Sequence, residues 1–213
     1  MGAPHSIFFG FLLVLAMVSA GAGGASAGDA ERGRAKATIC TPCHGPNGVS
    51  QYPEIPNLAG QNQAYLTAAL NALRRAGLGR DMPKGLSKRY DAVMDHQAAG
   101  LTDAEIHDLT AHFAALPCTS RETARKSPLP AVGRRCVACH GERGDSATAT
   151  VPKLAGQHER YLENQLFALR DAGDGSPDAR RRRSHPIMSR QVGRLSDDDI
   201  RGLARYFADQ RCE

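Results

Sequence analysis

The stretch that decides the fold is Cys40-Thr41-Pro42-Cys43-His44, because it returns 96 positions later as Cys136-Val137-Ala138-Cys139-His140. The match continues without a gap through Gly77 in the first copy and Gly173 in the second. Beyond it the offset falls to 94, and the matched pairs are Met94 with Met188, Leu101 with Leu195, Ile106 with Ile200, Phe113 with Phe207, and Cys118 with Cys212. A repeat of this length means that the chain consists of two copies of one module.

The repeated motif has the spacing of covalent haem attachment. Two cysteines three positions apart project from the same side of a helical turn, so that both can form thioethers with a porphyrin, and the next histidine can reach the iron. A thioredoxin-like pair would need a βαβ setting, and a zinc site would need the two distant pairs brought together. The sequence therefore predicts two haem c groups. The expected attachment sites are Cys40, Cys43, Cys136 and Cys139, and the expected histidine ligands of iron are His44 and His140.

Two methionines are the expected sixth ligands of the irons. Met94 and Met188 occupy equivalent positions, seven residues before the leucine that opens the last helix of each copy. Met82 has no counterpart in the second copy, so we interpret it as a loop or packing methionine. Should Met94 not bind iron, Met82 or His96 would take its place.

Four further residues have matched positions near the expected haems. Pro56 and Pro152 each follow their histidine by twelve residues, where a backbone carbonyl can accept the second imidazole N–H and fix the ring. A simple turn proline would explain them equally well. Tyr65 and Tyr161 are candidates to reach the haem propionates, although packing on a helix also explains them. The remaining histidines are expected at the surface: His96, His107, His112, His158 and His185.

The apolar pattern predicts an all-α fold. Tyr65, Leu66 and Leu73 follow a helical period, as do Tyr161, Leu162 and Leu169. The last helix of each copy begins with a capping box, Thr102 to Glu105 and Ser196 to Asp199. No alternating strand pattern is present. Only 5% of residues are aromatic and none is tryptophan, so a porphyrin would supply the missing core bulk in each module.

The N-terminal segment has the features of a secretory signal peptide over residues 1–27. The apolar run Ile7 to Val18 is too short to span a bilayer, and Ala25-Ser26-Ala27 is a cleavage signal. A buried helix or a retained anchor is the alternative. Export would place the mature chain in the periplasm. We expect the first domain over residues 28–118, a linker over 119–130, where prolines interrupt any helix, and the second domain over 131–213.

Together these motifs resemble the diheme cytochrome c4 family. The resemblance rests on both Cys-x-x-Cys-His motifs, on Pro-x-Leu-Ala-Gly-Gln after each (residues 56–61 and 152–157), and on a methionine before each Leu-Thr/Ser-Asp helix start. It implies two class I cytochrome c domains related by a pseudo-two-fold axis, each with one His/Met-ligated haem. It also implies a periplasmic electron carrier of a respiratory chain that is loosely held at the inner membrane. Such a carrier passes electrons from a quinol-oxidising complex to a terminal oxidase.

Other functions remain open. Because His/Met ligation leaves no iron position for a substrate, an electron-transfer protein is favoured over an enzyme such as a diheme peroxidase. A cytochrome subunit of a larger dehydrogenase, of the flavocytochrome c type, would have the same fold. Nucleic acid is excluded as a partner by the compartment.

The sequence departs from the cytochrome c4 pattern in two features, its arginine run and its last two cysteines. The formal net charge is +5, all of it after residue 122, and it is concentrated in Arg180 to Arg183. This run is interpreted either as a surface for an acidic partner or anionic lipid, or as an ordinary solvated loop. Cys118 and Cys212 end the two copies. They can form a bridge in an oxidising compartment, remain free thiols or pair between molecules.

Overall fold

The structure, a computed structural model, describes residues 1–2, 28–83, 85–119, 127–173 and 183–212. Nearly all of the predicted signal peptide therefore lies outside the described residues, as do residues 180–182 of the arginine run. In the described part of the chain, no helix is long and apolar enough to cross a membrane.

Both copies of the repeat are helical, as predicted. The first contains α1 (Ala30–Lys36), α2 (Thr41–His44), α3 (Gln63–Gly77), α4 (Ala92–Ala99) and α5 (Asp103–Ala115), with a 3-10 turn at Ala37–Ile39. The second contains α6 (Arg134–His140), α7 (Glu159–Arg170), α8 (Met188–Val192) and α9 (Asp197–Ala208), with 3-10 turns at Ala131–Gly133 and Asp171–Gly173. Helix α5 packs on α1 and α3, and α9 packs on α7.

The last helix of each copy begins at the predicted capping box. The Thr102 hydroxyl accepts from the backbone N–H of Glu105, whose carboxylate accepts from the backbone N–H of Thr102. Ser196 and Asp199 repeat this arrangement at α9. Each box satisfies donors that the first helical turn leaves unpaired, which explains why both helices begin where they do.

Each copy has its own small apolar core. In the first copy the buried cluster consists of Ala37, Leu66, Leu109 and Phe113. In the second it consists of Leu162, Leu169, Val192, Leu195, Ile200, Leu203, Ala204 and Phe207. The two clusters share no residue, so each copy is organised around a separate centre.

A two-residue strand from each copy joins the two halves, which the sequence pattern did not indicate. Strand β1 (Lys88–Arg89) pairs antiparallel with β2 (Arg183–Ser184), and Arg89 lies opposite Arg183. Two residues are too few to show an alternating pattern, and the pairing exists only because the two copies come together.

A disulfide also joins the two halves. Cys118 and Cys212 are bonded, with their Cα atoms 6.1 Å apart. The bridge considered from the sequence is therefore confirmed, and in this structure the two cysteines are neither free thiols nor paired between molecules.

Two candidate haem-binding sites

The Cys-x-x-Cys-His motifs lie on short helices that end directly after the histidine. In each motif the first cysteine is half-buried, the second is exposed, and all four thiols are free of disulfides. Gly45 and Gly141 end the helices with φ of +79° and +81°, which favours glycine. A Cβ at Gly45 would lie 2.0 Å from the carbonyl oxygen of Val49. Each motif thus places two thiols and one imidazole close together in the chain.

His44 and His140 are buried, and each is fixed by one hydrogen bond. The Nδ1–H of His44 donates to the Pro56 carbonyl at 2.9 Å, and that of His140 donates to the Pro152 carbonyl at 3.0 Å. These bonds confirm the carbonyl partners considered from the sequence. Burial lowers the pKa of both histidines. Each imidazole is therefore neutral at neutral pH, with Nε2 available to bind a metal.

The two matched methionines lie at the starts of matched helices. Met94 is in the first turn of α4, where Asp91 Oδ1 accepts from its backbone N–H at 2.9 Å. Met188 begins α8, and His185 Nδ1 accepts from its backbone N–H at 3.2 Å. Asp91 and His185 hold equivalent positions in the repeat, so a side-chain cap orients both segments.

The side chains of both methionines are half-buried. Met188 and Cys136, two predicted site residues of the second copy, both pack against the apolar core of that copy. In the first copy, the charge of Asp91 acts on the pKa of His44, so the start of α4 lies near the buried imidazole. Met82 is also half-buried, in the segment between α3 and β1. The assignment of the sixth ligands stays a prediction.

A group of polar side chains lies between the two sites, and we call it the arginine–tyrosine cluster: Arg89, Arg183, Tyr65, Tyr161 and Gln165. Arg89 donates to the hydroxyls of Tyr65, at 3.2 Å, and of Tyr161. Arg183 donates to the Tyr65 hydroxyl at 3.2 Å. Gln165 Oε1 accepts from Arg183 at 2.6 Å and from Arg89 at 3.4 Å. Side chains of both copies are thus interleaved.

The cluster is strongly positive. Burial raises the pKa of Tyr65, but the charges of Arg183 and Arg89 outweigh burial and lower that pKa to about 7. Among the described residues neither arginine forms an ion pair with a carboxylate, and Arg183 Nε is buried without a hydrogen-bond partner. Buried charge without an opposite charge is costly, so the cluster is suited to binding an anion.

The cluster also faces both buried histidines. Arg89 acts on the pKa of His44, and Arg183 acts on that of His140. Sequence reasoning proposed the tyrosines but missed the arginines. The available signal was their matched position in the repeat, five residues before each methionine.

The residues present fit haem c. Each site offers two thiols for the porphyrin and one neutral imidazole for the iron, while the half-buried arginines match the propionate carboxylates that haem carries. A chain with two domains that each contain such a site falls in the class of tandem cytochrome c proteins.

The comparisons with known proteins agree with this class. The family model described as "Cytochrome c" matches the chain twice, at residues 30–117 and 131–210. Cytochrome c4 of Azotobacter vinelandii is 32% identical over 85% of this chain and 89% of its own length. The crystal structure of reduced recombinant cytochrome c4 from Pseudomonas stutzeri superposes with a TM-score of 0.67 and 29% identity, covering 86% of this chain and 100% of that chain. The chain belongs to the diheme cytochrome c4 family, and its cofactors are two haem c groups.

A relative with a different role is also similar to this chain. The "Thiosulfate dehydrogenase electron acceptor" of Stutzerimonas stutzeri is 29% identical over 81% of this chain and 79% of its own length. The fold is therefore found both in cytochromes c4 and in a protein that accepts electrons from a dehydrogenase.

Proposed function

We propose that this chain is a periplasmic electron carrier that holds one electron at each of two His/Met-ligated haems. Cys40 and Cys43 attach the first haem, and Cys136 and Cys139 attach the second. His44 with Met94 and His140 with Met188 would bind the two irons. The observation that carries this proposal is the pair of buried, neutral histidines, each adjacent to two thiols and each accompanied by a capped methionine at a matched position.

The chain's residues determine how the haems work. Bound haem iron supplies a one-electron change between its ferrous and ferric states. Burial of each imidazole keeps it neutral, and its bond to a proline carbonyl fixes the ring orientation. With a methionine as the sixth ligand, each iron would have no free position for water or substrate, which would favour electron transfer over peroxidase chemistry and raise the reduction potential.

The domain limits follow the same proposal. The mature chain begins at residue 28 after removal of residues 1–27, and the domains span residues 28–118 and 131–213 with a linker over 119–130. The proposed route of electrons runs from a quinol-oxidising complex to a terminal oxidase, with peripheral contact to the inner membrane. The similarity to a thiosulfate dehydrogenase electron acceptor supports a second candidate, in which a periplasmic dehydrogenase is the donor.

The second domain is better suited than the first to an acidic partner. Arg134 and Arg135 precede its first haem-attaching cysteine, and both side chains are exposed. The matched residues of the first domain are Thr38 and Ile39, which carry no charge. The charge of Arg135 acts on the thiol of Cys136, so it lies close to the proposed edge of the second haem. Positive charge at this edge would steer an acidic redox protein.

Reduction by a partner tests the proposed function. The oxidised holoprotein should accept two electrons per chain from a quinol-oxidising complex and pass them to terminal oxidase, with rates that fall as ionic strength rises. Stopped-flow absorbance of both haems is the measurement. Arg134→Gln/Arg135→Gln should weaken this salt dependence, while Arg32→Gln, at an exposed arginine of the first domain, should not. Reduction only by a thiosulfate-oxidising enzyme would favour the second candidate, and peroxide turnover would contradict both.

We also propose that Arg89 and Arg183 bind the haem propionates of both domains. The support is that both are half-buried without a carboxylate partner in the described part of the chain, and that they contact tyrosines of both copies. Because each arginine reaches across to the opposite domain, the charge of one domain would act on the haem of the other.

Loss of one arginine should therefore lower both reduction potentials. A unit charge about 8 Å away at an effective dielectric of about 20 contributes about 2 kcal/mol, so Arg89→Gln should lower the potentials by on the order of 50–100 mV. A spectroelectrochemical titration that resolves the two haems is the measurement. The control is Arg160→Gln, which removes an exposed arginine from α7. A shift confined to one haem, or equal to that of the control, would contradict the shared role.

A further inference from the structure

The Cys118–Cys212 disulfide lies where the two domains meet. Cys118 follows α5 and Cys212 follows α9, so equivalent points of the two domains are bonded to each other. The bridge borders a small cavity that it shares with turn residues of both domains, including Gly60 and Gly156. Gly60 has φ of +67°, and a Cβ there would lie 2.7 Å from Cys118 Cβ. The turn therefore lies so close to the bridge that only glycine, which has no Cβ, fits at this position.

Two buried glutamines hold the same interface by reciprocal hydrogen bonds. The Gln61 amide donates to the Lys153 carbonyl at 2.9 Å and accepts from the Lys153 N–H at 2.8 Å. The Gln157 amide does the same with Asn57, donating at 2.9 Å and accepting at 2.9 Å. Gln61 matches Gln157 in the repeat, and Asn57 matches Lys153. The two pairs therefore obey the pseudo-two-fold relation between the domains.

Other bonds across this interface are also polar. Asn62 donates to the Val151 carbonyl at 2.7 Å, and the matched His158 bonds through Nε2 to the Ser50 carbonyl at 3.0 Å. His158 is thus half-buried between the domains. The interface resembles a contact between independent domains, because each neutral hydrogen bond only replaces one to water.

Covalent linkage changes the balance at such an interface. Without the bridge, the only covalent connection between the domains is the backbone through residues 119–130, and the entropy of closing such a loop opposes the closed interface. The bridge ties the two domain ends together at the interface itself, so the polar bonds beside it re-form at a high effective concentration. It favours the closed arrangement without adding apolar contact.

The disulfide is not suited to carry electrons itself. Structural disulfides of exported proteins are reduced only at potentials far below those of His/Met haems, and they take two electrons where a haem takes one. The bridge joins two domains that would each hold a one-electron centre, and its role is to hold those domains in position.

We propose that the Cys118–Cys212 disulfide is a positioning element for electron exchange between the two haems. It keeps the glutamine-bonded interface closed and so fixes the separation of the haem sites, on which electron tunnelling depends steeply. The proposal rests on the proposed function of the two haems. Gln61 and Gln157 set the register of the domains, and the bridge prevents their separation.

The test compares internal electron exchange with and without the bridge in the holoprotein. Cys118→Ser/Cys212→Ser should keep two haems and normal absorption spectra. After injection of one electron by pulse radiolysis, redistribution between the haems should slow by about tenfold or more. Solution X-ray scattering should show a larger radius of gyration. The matched control is Thr119→Ala/Arg211→Ala, which alters the exposed neighbours of both cysteines and leaves the bridge intact.

A second measurement does not depend on folding of the variant. The bridge of the purified wild-type holoprotein is reduced with a phosphine and alkylated, and the same slower exchange is expected. Haems are counted first, so that fewer than two per chain would contradict the proposed function. An unchanged exchange rate and radius of gyration in a two-haem chain without the bridge would overturn the positioning role alone.

Discussion

A chain that cannot attach haem should not reach a stable fold. In the variant with alanine at Cys40, Cys43, Cys136 and Cys139, circular dichroism should show loss of most helical signal and no cooperative thermal transition. The reason is the small apolar core of each domain. The buried cluster of the first domain is formed by two leucines, one phenylalanine and one alanine, which is little for a domain of this size.

Haem binding therefore supplies part of the folding free energy. A group that binds only the folded state stabilises it, and each haem would add core bulk that the apolar residues of its domain do not supply. The control is Cys118→Ser/Cys212→Ser, which loses a covalent link but keeps both haems and should still unfold cooperatively. A haem-free chain with a cooperative transition close to that of the holoprotein would contradict the prediction.

The domains should also depend on their haems one at a time. Cys136→Ala/Cys139→Ala should remove half of the haem absorbance and unfold the helices α6 to α9, while α1 to α5 keep their own haem. Hydrogen exchange resolved by residue is the measurement, since it reports each domain separately. Because the two apolar clusters share no residue, we expect protection in the first domain to persist except at the interface.

Met94→Ala should remove the methionine–iron charge-transfer band of one haem and leave that of the other. The reduction potential of the haem that loses its methionine should fall by on the order of 0.1–0.3 V, within the range of about 0.8 V that axial ligands span. Met188→Ala should do the same to the second haem. Absorption spectroscopy and a redox titration of the holoprotein measure both effects.

Met82→Ala is the matched control, because Met82 is a half-buried methionine of the same domain without a counterpart in the repeat. Its spectrum and potentials should equal those of the wild type. Loss of the band in Met82→Ala, with retention in Met94→Ala, would move the ligand assignment to Met82. Unchanged spectra in both variants would point to His96.

The parts of the sites that could be predicted from sequence are those encoded by local spacing. The Cys-x-x-Cys-His turns need only consecutive residues, and the capping boxes at Thr102 and Ser196 need only a residue and its neighbour three positions on. The carbonyl partners of His44 and His140 also follow a fixed distance along the chain. In each case one short segment contains all the interacting groups.

The arginine–tyrosine cluster could not be predicted in this way. Arg89 and Tyr161 are in different domains, and their contact depends on how the domains are placed. The same holds for β1 with β2, and for His158, which would be an exposed helix-capping residue in an isolated domain. The matched positions of the two arginines in the repeat indicated that they matter, but they did not indicate which residues the arginines contact.

The sequence by itself determined two helical cytochrome c modules, two haem c groups and the cysteines and histidines expected to hold them, because these depend on short-range spacing and on the repeat. Only the tertiary structure decided that Cys118 bonds to Cys212, that glutamine amides pair across the pseudo-two-fold axis and that two arginines meet between the haem sites. The physical reason is distance along the chain. Residues about a hundred positions apart meet only after both domains have folded, and local patterns do not specify their relative orientation.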